Sequence, residues 1–211
     1  MITLYTHPQS RGRIAHWMLE ETGEPYQTVW LDYATSMRAP DYLRINPMGK
    51  VPTIVHDEVV ITETAAIVTY LADRFPAASL IPAAGSGQRG TFYRWLFFAA
   101  GPLEQAVTAR SQKWTVTPEQ EGMVGFGTYE RTLATLETAL KPGPYICGQQ
   151  FTAADVYVGS QLHWGMLFGT IGKKPLFEDY VARLHDRPAS QRANTLNEAY
   201  LMQQADPGKA D

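Results

Sequence analysis

Three groups of residues in this chain have types and spacings that could hold a ligand. The first is Val51-Pro52, heading the β-rich run Val51-Pro52-Thr53-Ile54-Val55. Proline is tolerated at the first residue of a strand, where no ladder donor is needed. An X-Pro bond at a fixed turn is also where a cis peptide is least costly. A cis Val51–Pro52 bond would turn the Val51 N–H and C=O outward, free to pair with something peptide-like. The second group is Glu63-Thr64, eleven residues past Pro52. There Ala66, Ile67, Tyr70 and Leu71 begin to recur at helical spacing. A helix start offers unpaired N–H groups and a positive dipole end, which favour an anionic ligand group. The third is Gln9-Ser10-Arg11, after the break at His7-Pro8 and at the start of another helical pattern. A serine there can act as an N-cap.

These groups need elements to position them. Ile2–Thr6 predicts a strand. A helix from Ser10 or Arg11 follows, with Ile14, Trp17 and Met18 on one stripe and Gly23 as its C-cap. Tyr26–Leu31 predicts a second strand, so strand, helix and strand make a βαβ unit with a right-handed crossover. Residues 32–48 read as irregular, with a short helix around Asp41–Ile45. The hairpin Val51–Ile61, turning at His56-Asp57-Glu58, and a helix from Thr62 to about Arg74 complete a βαβαββα order. Such an order suits a small mixed sheet with helices on both faces.

Ala77–Gly90 gathers Pro82, Gly85, Ser86, Gly87 and Gly90, which marks a linker. We place domains at 1–80 and 88–211. The second reads as all-helical: Thr91–Ser111, kinked or split at Gly101-Pro102; Pro118–Leu140, with Met123, Phe126, Leu133, Leu136 and Leu140 on one stripe; a helix opening at Phe151; and two more at about Leu176–Asp186 and Ala189–Met202. Thr152 fits an N-cap with Asp155 at N3, and Phe151 can staple against Val156. Residues from Ala205 onward are expected to fray.

Asn46-Pro47-x-Gly49-Lys50-Val51-Pro52, followed by Glu63-Thr64-x-Ala66-Ile67, resembles the glutathione-binding half of the cytosolic glutathione S-transferases. The likeness is to bacterial members of the serine type or of no assigned class. Phe151-Thr152-Ala153-Ala154-Asp155-Val156 resembles the helix-start motif of that family's C-terminal domain, whose role is folding rather than chemistry. The resemblance covers nearly the whole chain. It implies an α/β plus all-α architecture, a thioredoxin-like N-terminal domain followed by an all-helical C-terminal domain.

It also implies roles. Glutathione would be the co-substrate, with no metal. Ser10 stands where the family places its activating residue, so its hydroxyl could donate to the thiolate as well as cap the helix. Gln9 or Arg11 could hold that position instead, Arg11 acting by charge. Tyr5, near where other classes place a tyrosine, lies inside the strand and reads as core. Thr64 would hold the γ-glutamyl carboxylate and Glu63 its ammonium; Glu104 could reach the same amino group. Val51, ahead of Pro52, would pair with the cysteinyl backbone, and Lys50 or Arg38 would meet the glycyl carboxylate. Phe97, Phe98, Trp114, Trp164, Met166 and Phe168 are candidates for an apolar wall against a small electrophile, although aromatics at helical spacing are more often core.

Composition narrows the alternatives. Apolar content of 45% and charged content of 18% fit a globular chain, and a net charge of −3 gives no reason to expect nucleic acid. No run approaches the roughly 18 apolar residues of a membrane span, and no signal peptide is evident. One cysteine, Cys147, rules out an intrachain disulfide and fits the cytoplasm; it reads as a structural thiol. His7, His16, His56, His163 and His185 show no metal-ligand spacing. Gly122-x-x-Gly125-x-Gly127 lies in a helical pattern rather than after a strand, so it is no phosphate loop. The resemblance further implies a twofold homodimer and a role in detoxification. Three activities fit it: conjugation of glutathione to apolar electrophiles, glutathione-dependent peroxidase or thiol reductase chemistry, and non-enzymatic binding. Relatives that favour disulfide exchange carry a cysteine where this chain has Gln9-Ser10-Arg11-Gly12, which lowers the second.

Overall fold

Alternating burial in β1 (Ile2–Thr6) puts Ile2, Leu4 and Thr6 on a fully covered face and leaves Thr3 and Tyr5 partly covered on the other. The computed structural model describes residues 1–205. α1 (Gly12–Thr22) follows, ended by Gly23 in the left-handed conformation at φ 71°. β2 (Tyr26–Trp30) pairs in parallel with β1, Thr6 opposite Trp30. A 3-10 turn at Ser36–Arg38 and the short α2 (Pro40–Ile45) lead to β3 (Thr53–His56) and β4 (Val59–Ile61). β3 runs antiparallel to β1, with Tyr5 opposite Thr53. α3 (Thr64–Arg74) completes the unit, whose sheet order is β2-β1-β3-β4.

This is the expected βαβαββα order and the mixed sheet of a thioredoxin-like domain. α1 and α3 pack together and bury Ile14, Met18, Leu19, Ile67, Val68 and Leu71. A second cluster of Leu31, Met37 and Tyr42 lies against Tyr5, Ile45 and Val51. Tyr5 is partly buried and packs against this cluster.

The first compact unit comprises Met1–Ala78 together with the chain from Asp186, because α9 (Pro188–Ala205) packs on α1. Ion pairs Arg13–Glu198 (2.6 Å), Arg192–Glu20 (2.7 Å) and Arg187–Glu21 (2.7 Å) line that contact. Beneath them His16, 1% exposed, meets Asn197 at 3.0 Å and packs on the Tyr26 and Trp30 rings. Burial holds the His16 imidazole below its usual 6.5, against the opposing pull of Glu20 and of the Asn197 hydrogen bond, with Arg13 adding a little to the fall. The unfolded chain therefore takes up this proton first. Stability should be intact above pH 6.5 and fall as the pH drops below it. One such proton corresponds to at most about 1.4 kcal/mol per pH unit. His7, lowered mainly by burial, adds to the same slope. Denaturant midpoints between neutral and mildly acidic pH should decline less steeply in His16→Gln; an unchanged slope would remove His16 from the account.

The second unit, Ser79–His185, is helical. α4 (Gly87–Phe98) passes through a π-helical turn, Ala99–Leu103, into α5 (Glu104–Ser111). Pro102 lies inside that turn, at the expected kink. α6 (Tyr129–Leu140) starts at Thr128, whose side chain accepts from the Arg131 N–H at 3.1 Å. The helix expected from Pro118 therefore begins eleven residues late. Residues 112–128 are irregular, Met123 is 88% exposed, and Gly127 has φ 62°. Gly122, Gly125 and Gly127 each weaken a helix by about 1 kcal/mol relative to Ala, more than the apolar spacing can offset. α7 (Ala153–Leu167) begins with the Thr152–Asp155 capping box read from sequence. α8 (Pro175–His185) closes the unit. Ala205, where fraying was expected to begin, is the last residue of α9, and the rest of that stretch lies outside the described residues. No helix among the described residues is long and apolar enough to cross a membrane.

Candidate functional site

The loop before β3 is held by a buried polar network. Asn46, 4% exposed, donates from Nδ2 to the Lys50 carbonyl (2.9 Å) and to Thr53 Oγ1 (3.1 Å), and its Oδ1 accepts from the Met48 N–H (3.1 Å). Tyr42 Oη donates to the same Lys50 carbonyl and meets Thr53 Oγ1 at 2.9 Å. Gly49, at φ 58°, brings its backbone against the Met37 carbonyl, where a Cβ would stand 3.0 Å away. The network clamps the chain on both sides of Val51-Pro52, whose peptide bond is cis. Among the described residues no backbone or side-chain group is hydrogen bonded to the Val51 N–H or C=O. Lys50 is exposed, and Arg38 lies beside Gly49.

Thr64 is the first residue of α3 and is 8% exposed; Glu63 precedes it, exposed and with φ 64°. Positive φ is uncommon for a residue with a Cβ. No side chain caps this helix, so its first N–H groups and dipole end are available to an anion.

Between β1 and α1, Ser10 Oγ donates to the His7 carbonyl (2.6 Å) and accepts from the Gly12 N–H (2.9 Å). Arg11 rather than Ser10 is the N-cap residue, yet the Ser10 hydroxyl receives the first N–H of α1 and directs its own proton at backbone. Gly12 approaches Thr6 so closely that a Cβ would lie 1.8 Å from Thr6 Oγ1. Gln9 and Arg11 are exposed; the Gln9 N–H donates to His7 Nδ1 (3.1 Å), and Arg13 Nε donates to the Pro8 carbonyl. Tyr33, from the stretch read as irregular, lays its ring 4.5 Å from His7 and donates from its hydroxyl to the Gln9 carbonyl at 3.1 Å. Sequence reading passed over it because only register brings it here. Thr6 faces Trp30 where the parallel pair ends, so the chain leaving β2 toward Tyr33 starts beside the turn that follows β1. On the other side of β1, Tyr5 pairs with Thr53 where the antiparallel pair ends, so Val51 precedes β3 at the same end of the sheet.

In the second unit, an open cleft of about 680 Å³ is lined by Ala100, Glu104, Thr108, Trp114, Met123 and Phe126 among others. Of the aromatics expected to form an apolar wall, only Trp114 borders it. Phe97 (58% exposed) lies by Tyr93, Phe98 packs on Trp95, and Phe168 is 74% exposed at the end of α7. Trp164 and Met166, both half-buried on α7, are also outside the lining. Val116, Met123, Val124 and Phe126 border the cleft because residues 112–128 are not helical. Glu104 accepts from Tyr157 Oη (3.2 Å) and Gln161 Nε2 (3.3 Å) on α7 while facing the cleft. Burial pushes the Cys147 thiol up to about 11, opposed by a hydrogen bond from Thr152, which suits an inert thiol. Among the described residues no group of three or more His, Cys, Asp or Glu side chains could hold a metal.

Comparison with known proteins bears on the same residues. The N-terminal domain model of glutathione S-transferase matches residues 11–74, and the C-terminal domain model matches residues 92–164. Glutathione S-transferase GstA of Escherichia coli O157:H7 is 32% identical over 164 residues, 76% of this chain and 81% of that protein. A crystal structure of a glutathione transferase from Methylococcus capsulatus superposes with a TM-score of 0.78 at 28% identity, over 94% of this chain and 100% of that one. A sphingomonad glutathione S-transferase solved in complex with glutathione superposes with a TM-score of 0.75 at 27% identity, over 93% and 98% of the two chains. With both domain models matched in order across the thioredoxin-like sheet and the helical unit, this chain belongs to the glutathione S-transferase family.

Proposed function

We propose that the chain is a glutathione transferase that joins the glutathione sulfur to a carbon of a small apolar electrophile. The observation that carries this reading is one stretch of sheet and helix that supplies an unpaired Val51 backbone beside Pro52 and an uncapped α3 start at Glu63-Thr64, inside the matched N-terminal domain. A γ-glutamyl peptide needs these features. Val51 would pair with its cysteinyl amide, the α3 N–H groups and Thr64 would receive its α-carboxylate, and Glu63 would meet its ammonium. Lys50 or Arg38 would meet the glycyl carboxylate. The thiol would then lie at the start of α1, where Ser10, Arg11, the Gln9 backbone and the helix amides are the candidate donors.

A free thiol titrates near ~8.5, so few molecules are nucleophilic at neutral pH until donors stabilise the thiolate. The thiol proton leaves to solvent. The sulfur pair then forms the new S–C bond, while the displaced pair leaves with the leaving group or moves onto a conjugated acceptor that water protonates. The helical unit carries an apolar cleft of its own, bordered by Trp114 and Phe126. Disulfide exchange is the weaker reading, since Gln9-Ser10-Arg11-Gly12 contains no cysteine and Cys147 lies in the helical unit with a raised pKa. We further propose a homodimer in which exposed Tyr93 and Phe97 of α4 contribute contact. The lone cysteine supports a cytoplasmic setting, and detoxification is the corresponding role.

Calorimetric titration with glutathione, followed by turnover on aryl halides, enones and hydroperoxides, tests this. Binding with turnover of carbon electrophiles is expected. Binding alone would make the chain a binding module, and faster hydroperoxide turnover would make it a peroxidase. Thr64→Ala should raise the glutathione Kd at least about tenfold with little change in kcat, because a hydrogen bond to a charged group contributes ~1.5–3 kcal/mol in ground and transition states alike. An unaltered Kd would move the carboxylate site elsewhere.

A further inference from the structure

Resting on the glutathione reading above, we infer that Tyr33 is a catalytic residue whose phenolic O–H donates the side-chain hydrogen bond to the glutathione thiolate, while Ser10 serves chiefly as the cap of α1. The case begins with what each hydroxyl already does. Ser10 Oγ is held at both ends, donating to the His7 carbonyl at 2.6 Å and accepting the Gly12 N–H at 2.9 Å, in a partly buried position. Turning its proton to sulfur would leave a partly buried carbonyl without its donor, and such a loss has the full desolvation cost. Tyr33 carries no such penalty. Its hydroxyl makes a 3.1 Å bond to the Gln9 carbonyl at an exposed position, where water can replace it.

Placement favours Tyr33 as well. β1 lies between β2 and β3, so the chain that leaves β2 toward Tyr33 and the chain that enters β3 from Val51 flank the turn after β1 from opposite sides. A peptide paired with the Val51 backbone and reaching toward α1 thus meets the His7–Ser10 turn with Tyr33 on its far side. The phenol is also built into place. Asp32 Oδ1 accepts from the Ala34 N–H (2.9 Å), the Thr35 N–H (3.1 Å) and Thr35 Oγ1 (3.1 Å), and the Asp32 N–H donates to Ser36 Oγ at 2.6 Å. His7 supports the ring at 4.5 Å. Burial keeps the phenol above its usual 10, against opposing pulls from the Ser10 hydroxyl and the Arg11 charge. It therefore holds its proton at neutral pH and can act as a donor. In the reaction the thiol proton goes to solvent, the Tyr33 proton stays on oxygen, and the hydrogen bond strengthens as charge gathers on sulfur.

Thiolate absorbance in the short-wavelength ultraviolet, followed through a pH titration of the glutathione-saturated protein and corrected for the free protein, reads the effect directly. Tyr33→Phe, which keeps the ring on His7, should raise the bound thiol's apparent pKa by about one to two units. Neutral-pH turnover should fall about tenfold or more, while the glutathione Kd stays within about twofold. The rise should exceed that in Ser10→Ala, whose main effect should be a lower thermal midpoint from the lost cap. An unmoved thiol pKa in glutathione-bound Tyr33→Phe, or a larger rise in Ser10→Ala, overturns the assignment and leaves the glutathione reading standing. Failure of the unmutated chain to bind glutathione overturns both.

Discussion

Asp155→Ala is expected to cost the helical unit about 3–5 kcal/mol, because it strips several buried donors of their acceptor and each such loss costs about 1–3 kcal/mol. Both carboxylate oxygens are fully engaged. Oδ1 accepts from the Ile146 N–H (2.7 Å) and Tyr180 Oη (2.8 Å), and Oδ2 from the Thr152 N–H (2.8 Å) and Thr152 Oγ1 (3.0 Å). Residue 155 is 0% exposed, so water cannot serve the abandoned donors. Burial raises the Asp155 pKa, and the donors from Ile146, Tyr180 and Thr152 oppose that rise. Asp155→Asn should be damaged almost as much, because an amide offers one acceptor oxygen and turns an NH₂ toward donors on the other side. Since domains are stable by only about 5–15 kcal/mol, either change should leave the unit near its unfolding threshold. Denaturant melts and hydrogen exchange of the α7 and α8 amides would show it. A fully protected α7 in Asp155→Ala would mean that another contact anchors the start of that helix.

Asp155 also illustrates what a sequence can disclose. Thr152 and Asp155 are three residues apart, so the capping box is complete within one helical turn and is legible without the fold. Pro52 at a strand start and the Glu63-Thr64 helix start are likewise local signals. Legibility fails where partners are distant or where local signals compete. His16 meets Asn197 across 181 residues of sequence, so nothing near either residue announces that α9 lies on α1. Tyr33 reaches Gln9 only through the parallel register of β1 and β2. Between Pro118 and Thr128, apolar residues at helical spacing outweighed three glycines in the reading, whereas the backbone follows the glycines and opens the cleft beside Trp114. The fold was therefore legible nearly throughout. Of the candidate site, the backbone features at Val51-Pro52 and at the start of α3 have local sequence signals, whereas the meeting of Tyr33 with Gln9 has none.

Asn46→Ala should cost about 2–3 kcal/mol of stability and raise the glutathione Kd at least about tenfold, although the side chain is 4% exposed and its own contacts are all with protein. Its amide joins three points of one loop: the Met48 N–H, the Lys50 carbonyl and Thr53 Oγ1. Between the last two lie Val51 and Pro52. Tyr42 still holds the Lys50 carbonyl and Thr53 after the change, so the loop should loosen rather than unfold. The loosened segment is the one whose backbone would align the peptide. Affinity should therefore fall more than kcat, because Tyr33 and the start of α1, where the thiolate would be held, are untouched. Asn46→Asp discriminates shape from donation. It preserves volume and the acceptor for Met48, yet it faces the Lys50 carbonyl with a carboxylate where a donor is required. It should be no better than alanine at neutral pH. If Asn46→Asp recovers the glutathione affinity, steric filling rather than the Nδ2 hydrogen bonds sets the loop. If folded Asn46→Ala binds glutathione as the unmutated chain does, the loop backbone is not the anchor.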